Sequence, residues 1–295
     1  MDGSGVSVVL PAKNEAAALE GLLPRIRAVL PRAEVLVVDD GSSDATAAVA
    51  VAAGARVVSH PESLGNGAAV KSGARAATGE VIVFMDADGQ HPPEAIPVLL
   101  EQLERGYDLV VGARDRAGQA SLGRHLANGF YNRFASWMSG TRIHDLTSGL
   151  RAVRAARFRQ VLGILPNRFS YPTTSTMAFL KLGYAVRWCP VAVGRREGRS
   201  HIAPIRDGAR FVLIIFKIAT LFSPLKVFLP AAFACWTLGL ANYGYTYWAF
   251  GRFTNMSALL LSSGVLVFLM GLLAEQVCML TYAQLGRDAD PPPPR

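Results

Sequence analysis

Cysteine is scarce in this 295-residue sequence, and acidic residues (22) are outnumbered by lysines and arginines (30). The three cysteines, Cys189, Cys235 and Cys278, are far apart and form no C-x-x-C pair. Two of them fall in long apolar runs, so neither a zinc site nor a disulfide framework is indicated. The segment Met1 to Val6 lacks a basic start followed by an apolar run. No signal peptide is therefore expected, and the first two hundred residues are expected to stay in the compartment where they are made. Two phosphate-binding signatures are also missing. Lys71-Ser72 lacks the glycine that a P-loop places before its lysine, and Gly65-Asn-Gly67 fails G-x-G-x-x-G because position 70 is valine. Kinase and dehydrogenase readings fall away.

Charge is absent from Val227 to Phe250, and Glu275 is the one charge from Asn255 to Tyr282. Each run exceeds the roughly 20 residues that a helix needs to cross about 30 Å of hydrocarbon. Only Gly251 to Thr254 separates them, so a helical hairpin is expected within 224–285, with spans at about 227–250 and 255–282. The alternative, a pair of buried core helices, seldom runs so long without charge. Glu275 could lie near the interface or pair across an oligomer, and as an intramembrane acid it is a functional candidate.

The net charge of +8 is not spread evenly. Arg195, Arg196, Arg199, Arg206, Arg210 and Lys217 precede the first run, Lys226 sits at its edge and Arg287 follows the second, whereas the intervening loop has Arg252 alone. That asymmetry puts both ends of the hairpin in the cytoplasm. It also favours anionic headgroups or a phosphate substrate, with no nucleic acid partner expected. Asp207 to Leu221 is too short and too charged to span; an interfacial amphipathic helix within 204–223 is expected, with a core helix as the alternative. The proline-rich tail within 286–295 is expected to be disordered.

Residues 1–203 have α/β character. Val6–Leu10, Glu34–Val38, Arg56–Ser59, Val81–Met85 and Leu109–Val111 are expected strands, with helices at Glu15–Leu30, Asp44–Ala53, Gly67–Ala77 and Pro93–Arg105. Such alternation implies right-handed βαβ units and a mainly parallel, Rossmann-like sheet. Beyond it, Gly123–Met138 is expected as a helix, Asp145–Arg151 as a turn and Tyr184–Val193 as a strand. Ligands bind past the carboxyl ends of such strands. Three polar clusters fall there: Pro11-Ala-Lys-Asn-Glu15, Asp39-Asp40-Gly-Ser-Ser-Asp44 and Asp86-Ala-Asp88-Gly-Gln90.

Asp86 and Asp88, one residue apart at the end of a buried strand, can hold a hard divalent cation and leave positions for phosphate oxygens. A bound Mg²⁺ or Mn²⁺ would stabilise charge on a departing diphosphate. Alternatively, Asp88 caps a helix beginning near Pro92. An acid at the end of the second strand, Asp39 or Asp40, commonly accepts hydrogen bonds from a ribose or base. Ser42, Ser43 and Asp44 suit a helix cap equally well. Gly65-Asn-Gly67, opening a helix, could bring backbone N–H groups near a phosphate.

The ordered series Pro11-Ala-Lys-Asn-Glu15, Val38-Asp-Asp-Gly-Ser-Ser-Asp44, Gly65-Asn-Gly-Ala-Ala69, Asp86-Ala-Asp-Gly-Gln-His91, Gly112-Ala-Arg114, Asp145-Leu-Thr-Ser-Gly-Leu-Arg151 and Arg196-Glu-Gly-Arg-Ser200 resembles the dolichol-phosphate mannose synthase group of glycosyltransferase family 2. The resemblance covers about residues 5 to 205 and implies a GT-A fold and a membrane-anchored enzyme. That enzyme would move a hexose from a nucleotide diphosphate, GDP-mannose or UDP-glucose foremost, to a polyprenyl or dolichyl phosphate. It implies nucleotide contacts by Pro11, Asn14, Glu15, Asp39 or Asp40, Lys71 and Asp86, and Mg²⁺ or Mn²⁺ held by Asp86, Asp88 and Gln90. On the acceptor side it implies Arg114, Arg124, Asn128, Arg151, Ser200 and His201, with Arg196 meeting donor or acceptor phosphates. Asn128 stands where relatives often have serine, and His201 where they usually have lysine. Asp145 would orient a neighbour or simply form the turn. A processive polysaccharide synthase, a transferase with another lipid acceptor, and a non-catalytic lipid-binding scaffold are the rival readings. Self-association stays open.

Overall fold

The computed structural model describes residues 2–114, 122–168, 171–192, 216 and 219–287, without the side chains of 122–128, 130 and 287. The chain forms two compact units that divide after Ser200.

The first unit is built on one seven-stranded sheet. Its strands are β1 (Val6–Ala12), β2 (Glu34–Asp39), β3 (Arg56–Ser59), β4 (Val81–Phe84), β5 (Leu109–Arg114), β6 (Arg151–Arg154) and β7 (Val186–Val191), in the order β3-β2-β1-β4-β6-β5-β7. Runs such as Val-Ser-Val-Val-Leu in β1 and Val-Ile-Val-Phe in β4 suit strands covered on both faces, where β-branched side chains pack from each side. β1, β2, β3 and β4 pair in parallel, as do β5 and β7, while β6 runs antiparallel to both its neighbours. Helices α1 (Ala16–Val29), α2 (Thr46–Ala52), α3 (Asn66–Ala76), α4 (Ile96–Glu104), α5 (Leu122–Ser139), α6 (Ala155–Gln160) and α7 (Tyr171–Lys181) complete the unit. Leu19, Leu22, Leu23 and Ile26 of α1 and Ile96, Leu99, Leu100 and Leu103 of α4 join the strands in one core. Chain direction across the sheet reverses between β1 and β4, which creates the crevice where α/β sheets bind ligands.

The five expected strands of the first half and its four helices are present with ends shifted by a few residues. β6, α6 and α7 were not expected. Residues 145–150 do turn, but Arg151 opens a strand. The run Tyr-Pro-Thr-Thr-Ser-Thr in α7 has a loop's composition, yet Thr173 to Thr176 are buried. Ser175 and Thr176 donate to the Pro172 carbonyl at 3.1 and 2.8 Å, satisfying hydroxyls that would otherwise disfavour a buried helix.

The first turn of α3 corrects another expectation. Its amides do not wait for a phosphate: Ala68 N–H donates to Asn167 O at 2.7 Å and Gly67 N–H to Arg168 O at 3.4 Å. A Cβ on Gly67 would collide with the Pro166 carbonyl oxygen. The glycine therefore admits a backbone segment that docks on the helix end.

The second unit contains α8 (Leu225–Phe250) and α9 (Asn255–Arg287). Both are long and apolar enough to cross a membrane, and only 11% and 17% of their apolar windows are buried. A soluble core pair would be mostly covered. Gly239, Gly264 and Gly271 lie against Leu261, Trp236 and Phe228, so the two helices approach closely where side chains are smallest. Glu275 has a partner within the chain: its carboxyl oxygen accepts the Leu225 N–H at 3.2 Å, at the first turn of α8. Asn242 donates to Thr254 and Ser257 at the loop end. The expected interfacial helix lies largely outside the described residues, as does the tail 288–295.

Gly67→Ala is expected to lower the unfolding free energy of the first unit by about 1–3 kcal/mol, as overpacking of a tight site does. Denaturant unfolding followed by near-UV circular dichroism measures it.

Candidate functional site

At the carboxyl ends of β1, β2 and β4 lies a cavity of about 370 Å³, lined among others by Pro11, Lys13, Glu15, Asp40, Ser63, Asn66, Asp86 and Asp88. That size suits a small-molecule site. Pro11, Glu15, Asp40, Asp86 and Asp88 thus meet where the sequence placed them. Lys13, Ser63 and Asn66 are additions. Lys13 stood inside a recognised motif, and Ser63 follows the short third strand at the same rim, a signal that was available.

The loops around the cavity are tied by short polar side chains. Asn14, at φ 56°, donates its N–H to Ser42 Oγ at 2.9 Å and accepts the Ser43 N–H at 2.8 Å. Asp44 accepts the amides of Ala16 and Thr46, capping α1 and α2 together. The cap reading is right for Asp44. Asn14, expected at the nucleotide, stitches two loops through its side-chain oxygen and is absent from the cavity lining. Asp39 accepts the Ser42 N–H at 3.0 Å and lies outside the cavity lining.

Asp40 is buried and each of its oxygens accepts two hydrogen bonds. Oδ1 takes His60 Nδ1 (2.8 Å) and the Leu64 N–H (2.9 Å), and Oδ2 takes Ser63 Oγ (2.8 Å) and the Gly65 N–H (2.9 Å). Burial raises its pKa, and these donors outweigh that and hold the carboxyl below its usual range. Asp40 therefore shapes the 63–65 wall; a nucleoside contact by its carboxylate would be a fifth bond. Lys71, also expected at the nucleotide, is likewise tied to the protein. Its ammonium donates to the Leu165 carbonyl at 3.1 Å, outside the cavity lining.

Asp86 and Asp88 project from the end of β4, whose Phe84 is fixed against Phe158 and Tyr171. Asp88 Oδ1 accepts the Gln90 N–H at 3.1 Å and does not cap the turn that opens at Pro93. Gly149 abuts the Asp86 carboxylate so closely that a Cβ would overlap it. Among the described residues no three His, Cys, Asp or Glu side chains gather as a metal cluster. Two hard carboxylates on one cavity wall still fit Mg²⁺ or Mn²⁺ with sites left for diphosphate oxygens and water. Gln90, half-buried beside Asp88, is outside the cavity lining.

Arg114 ends β5 in a two-pronged pair with Asp145: Nε to Oδ2 at 2.8 Å and Nη2 to Oδ1 at 3.0 Å. Thr147 Oγ also accepts from Nη2, and Trp188 Nε1 donates to the Asp145 carbonyl at 3.1 Å. The Asp145 side chain is 8% exposed and that of Arg114 31%. Hydrogen bonding to Asp145 raises the Arg114 pKa. Burial favours protonation of Asp145, and the Arg114 hydrogen bonds and charge prevail, keeping the carboxyl low. Asp145 is thus an orienting anion, poorly suited to act as a general base. His91 is buried nearby, and burial lowers its pKa.

Arg151 requires the plainest correction. It is fully buried, and its guanidinium donates to Ser148 O (2.6 Å), Pro172 O (3.0 Å) and Ser175 Oγ (2.8 Å), with its charge 5.5 Å above the Tyr171 ring. It cannot meet an acceptor phosphate from there. Arg196, Ser200 and His201 lie outside the described residues, as do the side chains of Arg124 and Asn128, whose backbone belongs to α5.

Comparison with known proteins agrees with this geometry. The model of glycosyl transferase family 2 matches residues 7–162, and that of the GtrB C-terminal hairpin matches residues 223–280. The undecaprenyl-phosphate 4-deoxy-4-formamido-L-arabinose transferase of Pseudomonas aeruginosa is 32% identical over 294 residues, covering 92% of this chain and 84% of that one. The dolichyl-phosphate hexose transferase of Haloferax volcanii is 32% identical over 216 residues, 72% of this chain and 93% of that one. Among solved structures, glucosyl-3-phosphoglycerate synthase from Mycobacterium tuberculosis, in complex with Mn²⁺, UDP and glucosyl-3-phosphoglycerate, superposes with a TM-score of 0.57 at 26% identity. That likeness covers 72% of this chain and 77% of that one. The chain belongs to glycosyltransferase family 2, is a glycosyltransferase, and falls with relatives that are polyprenyl-phosphate sugar transferases.

Proposed function

We propose that the protein transfers a hexose from a nucleotide diphosphate sugar to a polyprenyl monophosphate at the cytosolic membrane face, by single displacement with inversion at the anomeric carbon. The observation that carries this reading is the pairing of two carboxylates on a nucleotide-sized cavity with a pre-oriented arginine, Arg114, at the end of a neighbouring strand. The domain division follows the same logic: a catalytic domain over 1–203, an interfacial segment over 204–223 and a membrane hairpin over 224–285.

Pro11 and Glu15 bound the donor cavity, and Asp40 fixes its wall through Ser63 and Gly65. Mg²⁺ or Mn²⁺, held by Asp86 and Asp88 with Gln90 near, would neutralise the charge that grows on the diphosphate. Arg114, held in plane by Asp145, presents its remaining N–H edge to the acceptor phosphate, for which a guanidinium is well matched. Arg124 and Arg196, with Asn128, Ser200 and His201, would add contacts to the same group. The acceptor oxygen is ionised near neutral pH, so it attacks the anomeric carbon without a dedicated base. One C–O bond forms, the bond to the diphosphate breaks, and the nucleoside diphosphate leaves with both electrons. Rate then comes from positioning and charge stabilisation. GDP-mannose and UDP-glucose are the donors to try first. Mn²⁺ and UDP in the mycobacterial structure support a metal and a uridine donor there.

The test is a transfer assay in detergent with Mg²⁺ or Mn²⁺, a panel of GDP- and UDP-sugars, and a short polyprenyl phosphate. One donor is expected to yield product, with chelation abolishing it and Asp88→Asn lowering turnover by about a hundredfold or more. Full turnover in a folded Asp88→Asn protein would remove the metal assignment.

Asp145→Asn is expected to raise KM for the acceptor far more than KM for the donor, since it frees Arg114 and leaves the Asp86–Asp88 wall in place. The native carboxyl is depressed, so the pair holds above the unfolded carboxylate pKa and is lost only as pH falls through the lower folded value. Between pH 5 and 8 the acceptor KM of the native enzyme is therefore expected to show no titration from Asp145. An Asn variant that loses kcat with both KM values unchanged would instead assign Asp145 to proton transfer.

A further inference from the structure

The transfer mechanism makes no use of His60, a nearly covered side chain just past β3. Its backbone N–H donates to the Asp39 carbonyl at 2.8 Å, which fixes the residue against the end of β2. Its ring bridges two elements: Nδ1 lies 2.8 Å from Asp40 Oδ1, and Nε2 lies 2.9 Å from Ser72 Oγ in α3. The side chains of His60 and Asp40 are 9% and 6% exposed. An ionised carboxylate only accepts, so Nδ1 carries a proton toward Asp40, while the Ser72 hydroxyl can donate to Nε2 or accept from it. Ser72 is a fixed post. A Cβ on its neighbour Gly73 would collide with Val9 of β1, so α3 lies directly on the sheet at that point.

The other three donors to Asp40, namely Ser63 Oγ and the N–H groups of Leu64 and Gly65, belong to one wall of the cavity, which Ser63 and Gly65 line. Residues 60–65 belong to no helix or strand. The shape of that wall therefore rests on its ties to Asp40 and on close packing against Gly41, where a Cβ would overlap the Glu62–Ser63 peptide. Oδ1 of Asp40 serves both His60 and the Leu64 N–H, so the ring fixes the carboxylate from the side away from the cavity. His60 itself is absent from the cavity lining.

We propose that His60 is a positioning residue for the donor: held by Ser72, it orients the Asp40 carboxylate that shapes the 63–65 wall, and so sets the affinity for a nucleoside diphosphate. The inference deepens the proposed function and rests on it for the identity of the ligand. A histidine that merely filled space would affect folding and would not separate donor from acceptor.

The experiment compares wild type, His60→Ala, His60→Asn and Ser72→Ala as full-length protein in detergent. Binding of GDP and of UDP with Mn²⁺ is measured by calorimetry, and kcat and both KM values with a short polyprenyl phosphate as acceptor. Ser72→Ala and His60→Asn, whose amide can donate from about the place of Nδ1, each lose only the Ser72 contact. Each is expected to weaken binding of the nucleotide that wild type takes, and to raise donor KM, about threefold, as for one neutral hydrogen bond. His60→Ala loses the bond to the carboxylate as well and is expected to lose about tenfold or more. Acceptor KM, and kcat at saturating donor, are expected to stay within about twofold. Equal rises in both KM values, a fall in kcat with nucleotide affinity intact, or an Asn variant no better than Ala would overturn the proposal. If His60→Ala does not fold, the threefold losses in the other two variants carry the test, and their absence overturns it. If wild type binds a nucleotide but transfers nothing, the acceptor reading fails and the binding series still decides the role of His60. Binding of neither nucleotide by wild type would overturn the inference together with the donor reading.

Discussion

The buried guanidinium of Arg151 is the interaction on which the arrangement of the site depends. A cation removed from water needs partners, and this one donates through both terminal nitrogens to two backbone carbonyls and a serine hydroxyl and lies over an aromatic face, while its buried Nε has no hydrogen-bond partner among the described residues. By gripping Ser148 O it pins the turn that precedes β6. Ser148 Oγ in turn donates to Gly112 O at 2.6 Å, so the turn is fastened to β5 as well. The fastened turn reaches both halves of the site. Gly149 abuts the Asp86 carboxylate on the side proposed for the donor, and Asp145 grips Arg114 on the side proposed for the acceptor. One short segment therefore touches both Asp86 and Arg114, the two groups that the proposed transfer brings together.

The donor wall has a matching device. Asp40 collects four hydrogen bonds from the segment after β3, and His60 carries the connection into α3 by a contact with Ser72 Oγ at 2.9 Å. Both devices use an ionisable residue to position backbone. Catalysis by charge placement requires that rigidity, because a shift of an ångström in a guanidinium or carboxylate costs more than the loss of any one weak contact.

The outline of the fold was legible because its strands are continuous apolar runs and its helices have amphipathic spacing. Val81 to Phe84 could hardly be anything but a buried strand, and Asp86 and Asp88 followed from it. Glu15 and Pro11 were legible for the same reason. Arg151 was misjudged, and the ties of Asn14, Asp40 and Lys71 were not foreseen, because residue type and rim position do not reveal whether a polar group already has partners in the protein. That depends on partners distant in sequence: Ser43 for Asn14, His60 to Gly65 for Asp40, Leu165 for Lys71 and Pro172 to Ser175 for Arg151. The α7 helix was hidden by its Thr-Ser run, whose hydroxyls become acceptable only when buried partners exist. Asp145 could be read from sequence as either turn former or orienting residue, and its carboxylate accepts both the Thr147 N–H within the turn and the Arg114 guanidinium.

The most direct measurement is nuclear magnetic resonance of the lipid product formed from an α-linked nucleotide sugar and a polyprenyl phosphate. The account predicts a sugar joined through its anomeric carbon to the lipid phosphate, with β configuration, and one nucleoside diphosphate released per product. A retained α linkage, or free sugar released from the donor with no phosphate-linked lipid, would contradict it.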